Sequence, residues 1–574
     1  MLEHIKEQII SHFKDIKSLD GVDIILTQPP NIEMGDFAFP CFERAKRQGK
    51  NPVDLAQEIA KDIELEMKHE ALVLKVQAFG PYVNFFLDNT IVAEKVFDSM
   101  EKEGEHFGKH DVGKGKQLLV EFACPNPMKV FHLGHLRNLI TGEAVVRMFE
   151  YAGYDVKRVN YQGDVGMHIA KTLWGIDQLH DEFETVKNKD LKMRVAFLGR
   201  AYAFGSQAYE DNETMKEEII AYNKKVYAKD VSIENIYTLG RTWSLEYFDS
   251  IYTMLNSHFD RLYFESEVVE RGLSLVMDGL KKGIFKKSDG AIIFEGSNYE
   301  LHDRVFVNSK DLPTYEGKEI GLAQLHFSEF HPDQVIHVVG KEQTDYFKVL
   351  FKALETILPE TVGKEYHLVG GYLQLKGDKK MSSRKGTVVA GDELLFAAEH
   401  RVKDIMKNSE VEDKDVVARA VTVAALKYSM LKVHVNQDIS FDMEASVSTS
   451  GDSGPYLLYI VARIKSILKK ADINVNKKNI GLPKEISIEE KQLIYDLASF
   501  PNTTLSAIKE YDPSIVAKYM YNVAQHFNAF YSVCPVLNID DDMIRLFRLN
   551  LISRVLYVME AGLNILGIES VEEM

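Results

Sequence analysis

Leu118-Leu119-Val120-Glu121-Phe122-Ala123-Cys124-Pro125-Asn126-Pro127-Met128-Lys129-Val130-Phe131-His132-Leu133-Gly134-His135 is the stretch on which the fold turns. Leu118 to Ala123 is mostly apolar and predicts a buried strand. Pro125 and Pro127 end it, because neither can donate a ladder hydrogen bond. From Gly134 to Tyr151 the residues Leu136, Leu139, Ile140, Val146 and Phe149 follow helical spacing. Gly153 stops that helix, and Tyr154 to Asn160 reads as a second strand. A strand–helix–strand unit of this kind predicts a doubly wound, Rossmann-like α/β sheet.

The junction between strand and helix carries chemistry. His132 and His135 flank Gly134 at a helix start, where free N–H groups and the positive dipole end favour anions. Glycine lets a flat ring or a phosphate come close to the backbone. The imidazoles can donate hydrogen bonds to phosphate oxygens as charge develops there. A second element lies about 245 residues further on: Lys379-Lys380-Met381-Ser382-Ser383-Arg384-Lys385-Gly386. Its four cations around two hydroxyls suit a triphosphate whose pyrophosphate departs. Taken alone, the same run also reads as a solvated surface charge cluster.

Outward from this unit the pattern changes. The first 110 residues alternate helix and strand, with helices expected from Leu2 to Ile16 and from Asn51 to Leu65 and two short strands around Gly80-Pro81. Gly104 to Lys116, rich in glycine and charge, reads as a linker. Gly175 to Tyr237 is polar and helix-prone, as an insertion would be. Strand-like runs return at Val335 to Val339 and His367 to Leu375, and beyond Ala390 the pattern is almost purely helical. The expected organisation is multidomain. A small α+β N-terminal domain spans 1–110, and an α/β catalytic domain spans 111–395 with an insertion at about 175–300. An all-α helical bundle follows at 396–574.

Composition bounds the class. The chain has 574 residues, too many for one core. Its net charge of −17 argues against a protein that coats nucleic acid nonspecifically. It leaves room for a shaped RNA site with a local basic patch, and for an acidic pocket taking a cationic small molecule. Cys41, Cys124 and Cys534 lie far apart, with no CxxC pair. That argues for a reducing compartment and against a disulfide framework or a cysteine zinc site. No apolar run approaches the ~18 residues of a membrane span, and Met1-Leu2-Glu3-His4 does not open a secretory signal. A cytoplasmic location is therefore expected.

The two phosphate-friendly elements together resemble the HIGH and KMSKS motifs of class I aminoacyl-tRNA synthetases, in the same order. Their flanks resemble the arginyl-tRNA synthetase family. Glu121 to His132 is similar to its strand and loop before HIGH, and Arg158 to Gly166 to its next strand and turn. Asp36-Phe37-Ala38-Phe39-Pro40 and Gly80-Pro81-Tyr82-Val83-Asn84 resemble its N-terminal domain. Gly454 to Tyr459, Arg463 and Gly562 to Ile568 resemble its C-terminal helical domain. The resemblance covers nearly the whole chain and is weakest in the insertion.

It implies a ligase that activates L-arginine with ATP to arginyl-adenylate and passes it to the 3′-terminal ribose of tRNA(Arg), with tRNA present for the first step. Phe131, His132, Gly134 and His135, with Lys380, Met381, Ser382, Ser383 and Arg384, would hold ATP; Mg²⁺ would accompany it. No tightly bound cofactor, zinc or other protein-held metal is implied, and a monomer is expected. Catalytic roles would fall to His132, His135, Lys129 and Lys380. Glu121, Asn126, Tyr315, Glu319 and Gln343 would meet the arginine. Carboxylates suit that task, since a guanidinium is always charged and offers five donors in a rigid fork.

Three positions depart from the family pattern. Lys318-Glu319 stands where the family has Arg-Asp, and the extra methylene moves the carboxylate by ~1 Å. Tyr346 stands where the family often has histidine. Ser383 stands at the second lysine of KMSKS, so one phosphate-binding cation is missing; Lys129, three residues before His132, is the expected replacement.

In the C-terminal part Tyr456, Tyr459 and Arg463 share one helical stripe. Lys465, Lys469, Lys470, Lys477 and Lys478 follow, with Asp472 opposing them. Aromatics beside cations suit an RNA loop, read by stacking and base-edge hydrogen bonds. Core tyrosines of a bundle show the same spacing. Two other readings stand beside the main one: a nucleotidyltransferase that needs no tRNA, and a paralogue that binds tRNA without catalysis. The long helical C-terminal part argues against the first, and retention of His132, Gly134, His135 and Lys380 against the second.

Overall fold

The computed structural model describes residues 2–13, 24–66, 71–377, 390–471 and 481–574. Near the N-terminus, β1 (Phe37–Pro40), β2 (Val73–Phe79) and β3 (Tyr82–Leu87) form an antiparallel sheet in the order β1-β3-β2, beside helices Leu2–Phe13 and Pro52–Glu66. The β2–β3 hairpin turns at Gly80, whose φ of 54° is the left-handed conformation glycine adopts at no steric cost. Asp36 ties this sheet to the C-terminal helices. It accepts the Leu87 N–H at 2.7 Å and forms a buried ion pair with Lys491 at 2.7 Å.

Gly104 to Lys116 is not a free linker. Phe107 is fully buried there, against Phe500 and Tyr557. His110 Nε2 lies 2.9 Å from Thr504 Oγ1. One aromatic anchors a stretch whose composition otherwise reads as loop.

The central sheet consists of β4 (Gln117–Glu121), β5 (Asp155–Gln162), β6 (Arg261–Phe264), then β10 (Gln334–Gly340) and β11 (Glu365–Gly370). Between β6 and β10, strands β7 (Lys286–Ser288), β8 (Ala291–Phe294) and β9 (Arg304–Val307) make a small antiparallel sheet. All central strands run parallel, in the order β11-β10-β4-β5-β6. The chain thus steps outward from β4 in one direction and restarts on its other side at β10. That reversal opens a crevice at the carboxyl ends of β4 and β10, where doubly wound sheets take ligands.

Five helices from Met167 to Met254 separate β5 from β6. Strand β6 itself falls inside the stretch expected to be insertion; four residues are too few to show a period. The helix Leu133–Tyr151 packs on the sheet with one face and on helices Gly391–Ile405, Lys414–Leu431, Ile488–Glu510 and Asp542–Ile565 with the other. It is therefore buried nearly all round, with Arg137 and Glu143 among its buried residues.

The run His367 to Leu375 splits at Gly370-Gly371. Its second half, β12 (Leu373–Leu375), leaves the central sheet and pairs in parallel with β13 (Ile439–Phe441), an interruption of the helical C-terminal region. Gly371 permits the crossing, since a Cβ there would stand 2.2 Å from the Gln437 carbonyl oxygen. Among the described residues no helix is long and apolar enough to cross a membrane, and all three cysteines are free.

Candidate active site

The loop from β4 to the helix Leu133–Tyr151 is tightly bent. Ala123, Cys124 and Met128 take positive φ values of 67°, 50° and 59°. Ser244 Oγ accepts the Met128 N–H at 2.8 Å, and Thr172 Oγ1 donates to the Met128 carbonyl at 3.2 Å, so the insertion helices fix the loop. His132 caps the helix that follows. Its Nδ1 accepts the His135 N–H at 3.3 Å, and His135 Nδ1 accepts the His132 N–H at 3.2 Å. The two rings stack, 3.5 Å between centroids and 15° between planes. A Cβ at Gly134 would stand 3.0 Å from the His132 ring. The glycine thus makes room for the stacked pair, besides leaving its own face open.

Burial, then the Lys129 charge, lowers His132 to about 4. Burial, then His132 and Lys129, holds His135 well below the ordinary imidazole value. Both rings are neutral, and a ring that accepts at Nδ1 carries its proton on Nε2. The pair therefore presents two neutral Nε2–H donors. Lys129 is exposed, and its ammonium acts on both rings and on His168, so it faces the same space.

Ala390 bridges to His132, and the Gly391 N–H donates to the Phe131 carbonyl at 2.7 Å. On the other side, Arg137 donates to the carbonyls of Tyr372, Val435 and Gln437 at 2.7, 2.9 and 2.6 Å, pinning β12 and β13 to the helix. Lys380, Met381, Ser382, Ser383 and Arg384 lie outside the described residues; the chain returns from them at Ala390, in contact with His132.

At the carboxyl ends of β4 and β10 buried carboxyl groups gather around a histidine. Glu121 ends β4 and pairs in register with His337 of β10. His337 Nδ1 lies 3.3 Å from Glu121 Oε1, and its Nε2 lies 2.8 Å from Glu365 Oε2. Burial opposes ionisation of Glu121, yet the charge and hydrogen bond of His337 pull its carboxyl below the usual range. Glu319, from the helix Tyr315–Phe330, shows the opposite. Burial and the Glu121 charge push its carboxyl well above the usual range. Tyr161 and Tyr346 are raised by burial and by these carboxylates. Among the described residues, Glu121 Oε2 and the Tyr161 hydroxyl are buried without a hydrogen-bond partner.

Deeper support comes from Lys318 and Glu265, a 2.6 Å ion pair with both side chains only 6% exposed. Asn126 Oδ1 accepts the Gly163 N–H at 2.9 Å, fixing the turn after β5. Gln343 is half-buried just before the helix Thr344–Ile357. Tyr315 stands apart from the buried group. It is 66% exposed at the start of its helix, with the Lys318 ammonium 4.6 Å from its ring centre.

His337, Glu365 and Tyr161 were absent from the residues singled out by sequence. A histidine inside Val335-Ile336-His337-Val338-Val339, an otherwise apolar run, was the available signal. In the C-terminal helices, Arg463 donates to Asn528 Oδ1 at 3.1 Å and to the Tyr459 hydroxyl, and its guanidinium lies 4.5 Å from the Tyr459 ring centre. Tyr456 is half-buried, its hydroxyl 3.4 Å from the Ala524 carbonyl. Lys465 is paired with Glu560 and Glu572, so it is not the free cation its neighbours suggested.

A parallel sheet reversing at β4 and a helix opened there by paired imidazoles, with a basic run of sequence shortly before Ala390, are the parts of a class I aminoacyl-tRNA synthetase. The family model for class I tRNA synthetases (R), catalytic domain, matches residues 99–443. That for the DALR anticodon binding domain matches 457–574, and that for the arginyl tRNA synthetase N terminal domain matches 3–87. The arginine–tRNA ligase of Clostridium botulinum is 32% identical, over 99% of this chain and 99% of its own. That of Treponema denticola is 33% identical over 96% and 95%. The solved arginyl-tRNA synthetase of Thermus thermophilus superposes with a TM-score of 0.77 at 26% identity, covering 100% of both chains. The chain belongs to the arginyl-tRNA synthetase family, and its activity is that of an arginine–tRNA ligase.

Proposed function

We propose that the β4–β10 crevice takes the substrate arginine and that the histidine-capped helix takes ATP. The observation that carries this reading is the pair of buried carboxyl groups, Glu121 with an unpartnered Oε2 and Glu319 held uncharged for want of a cation. A guanidinium supplies both the charge and the donors such a pair lacks. Glu121 and Asn126 meet the substrate, with Glu319, Gln343 and Tyr315 around its side chain and Tyr315 at the mouth.

In the first step an arginine carboxylate oxygen attacks the α-phosphorus of ATP, and the bond to the leaving pyrophosphate breaks. His132 and His135 donate Nε2–H to phosphate oxygens, Phe131 and Gly134 shape the approach, and Lys129 supplies the cation that Ser383 does not. Lys380, Met381, Ser382 and Arg384 clamp the pyrophosphate. Mg²⁺ enters with the ATP phosphates. In the second step the terminal ribose hydroxyl of tRNA attacks the arginyl carbonyl, and AMP leaves.

Residues 1–110 touch the tRNA corner, 111–395 carry out the chemistry, and 396–574 read the anticodon loop, with Tyr456, Tyr459 and Arg463 on its platform. The chain works as a monomer in the cytoplasm. Arginine titrations of ATP–pyrophosphate exchange test the pocket. Glu121→Gln or Asn126→Ala raises KM for arginine with KM for ATP unchanged; no change in either variant overturns the assignment.

A further inference from the structure

His337 lies between two carboxylates on neighbouring strands. Glu121 Oε1 of β4 faces its Nδ1 at 3.3 Å, and Glu365 Oε2 of β11 faces its Nε2 at 2.8 Å. A carboxylate can only accept, so a neutral ring would turn one lone pair against an anion. Both ring nitrogens therefore donate, and the ring is an imidazolium. All three side chains are buried, at 5% exposure or less. Parallel register fixes them, since His337 aligns with Glu121 on one side and with His367, two residues beyond Glu365, on the other. With Oε1 held by the imidazolium, Oε2 of Glu121 is the oxygen left without a partner.

We propose that His337 and Glu365 are positioning residues for arginine selection: they form a carboxylate–imidazolium–carboxylate relay that clamps Glu121 Oε1 and leaves Oε2 alone to receive the guanidinium. The proposal rests on the reading that Glu121 meets the substrate. Its effect is on binding, because neither residue touches a reacting atom.

Other groups around Glu121 do not replace the relay. His326, from the helix Tyr315–Phe330, reaches only 3.9 Å from Oε2 and is held near 4 by burial, hence neutral. Glu319 on the same helix is an acid repelled by Glu121. Cys124 on its own loop, Tyr161 of β5 and Tyr346 of the helix Thr344–Ile357 are all pushed up by burial, so each stays uncharged near neutral pH. His337 is the one cation that Glu121 meets among these neighbours. Removing it would leave the carboxylate buried and uncompensated, and its pKa would climb.

The test is tRNA-supported ATP–pyrophosphate exchange from about pH 6 to about pH 9, with arginine and ATP varied separately. His337→Asn and Glu365→Gln should each raise KM for arginine, by about tenfold to a hundredfold for the first. Both should leave kcat and KM for ATP within about threefold. In His337→Asn, KM for arginine should also fall more steeply with rising pH than in the wild type, as the freed Glu121 carboxyl adds its own ionisation to that of Glu319. A merely structural role would lower heat stability and kcat together without this split. Glu365→Gln keeps the imidazole and the apolar packing, so it decides the matter if His337→Asn does not fold. Unchanged KM and pH profile in the variants, with Glu121→Gln still impaired, overturn the relay alone. An unimpaired Glu121→Gln overturns the reading beneath it as well.

Discussion

His132 and His135 hold each other through reciprocal bonds, each Nδ1 accepting the other's backbone N–H at 3.3 and 3.2 Å. One nitrogen of each ring is spent on folding and the other is released for chemistry. Two substitutions at His132 separate these roles. Asparagine keeps an acceptor at the cap but has no donor at the Nε2 position. His132→Asn should keep its heat stability and lose about 10²–10³ in the rate of arginine activation. Glutamine reaches the Nε2 position but caps poorly. His132→Gln should lose about 0.5–2 kcal/mol of stability while retaining more activity than the asparagine variant. Single-turnover activation alongside thermal melts distinguishes them.

The same pair fixes a pH response. With His132 lowered to about 4 from an ordinary 6.5, the folded state binds fewer protons than the unfolded one between these values. Stability from this group is present above the unfolded value and is lost as pH falls toward the folded one. Melting temperature should therefore decline below about pH 6.5, more in the wild type than in His132→Asn. Activation should show no step from either ring between about pH 6 and about pH 8.

Glu319 should make arginine binding release a proton. Burial and Glu121 hold its carboxyl protonated above the usual range, and an arriving guanidinium favours the ionised form. Arginine affinity should rise with pH until the raised pKa is passed. Calorimetry in buffers of differing ionisation enthalpy measures the released proton, which Glu319→Gln should abolish. The sign for folding is the reverse. A carboxyl raised in the folded state favours folding below its unfolded pKa and loses that contribution as pH rises. Glu319→Gln should raise the melting temperature of the unliganded protein near pH ~8 and leave it unchanged near pH ~4.

Lys129→Ala should slow activation by about 10²–10³. Ser383→Lys placed in that background should recover part of the rate, because it restores the lysine that the motif lacks. Full activity of Lys129→Ala in single-turnover assays would remove the compensation between them.

The Lys318–Glu265 pair, 2.6 Å apart and buried, should punish single removal. Lys318→Ala leaves a buried carboxylate without its counter-ion, a loss of about 3–5 kcal/mol. Lys318→Met with Glu265→Gln should recover most of it. Denaturation of the singles and the double measures the coupling.

What sequence revealed and what it hid follow from range. The strand ending at Glu121 and the helix after His132 are local, written in runs and spacing. Phe107 converted an apparent linker into a packed segment, which composition could not announce. Strands β6 and β13 are too short to show a period. His337 meets Glu121 through strand register across 216 residues of chain, and no local pattern encodes that pairing. The Ser383 departure was legible as a missing cation. Lys129 was legible too, three residues before His132; what required the folded loop is that its charge acts on both imidazoles.

The most direct measurement is ATP–pyrophosphate exchange with each amino acid, with and without cognate tRNA. Arginine alone should support exchange, with tRNA present, and Glu121→Gln should raise KM for arginine and no other constant. Exchange that arginine does not stimulate, or an unaltered Glu121→Gln enzyme, would contradict it.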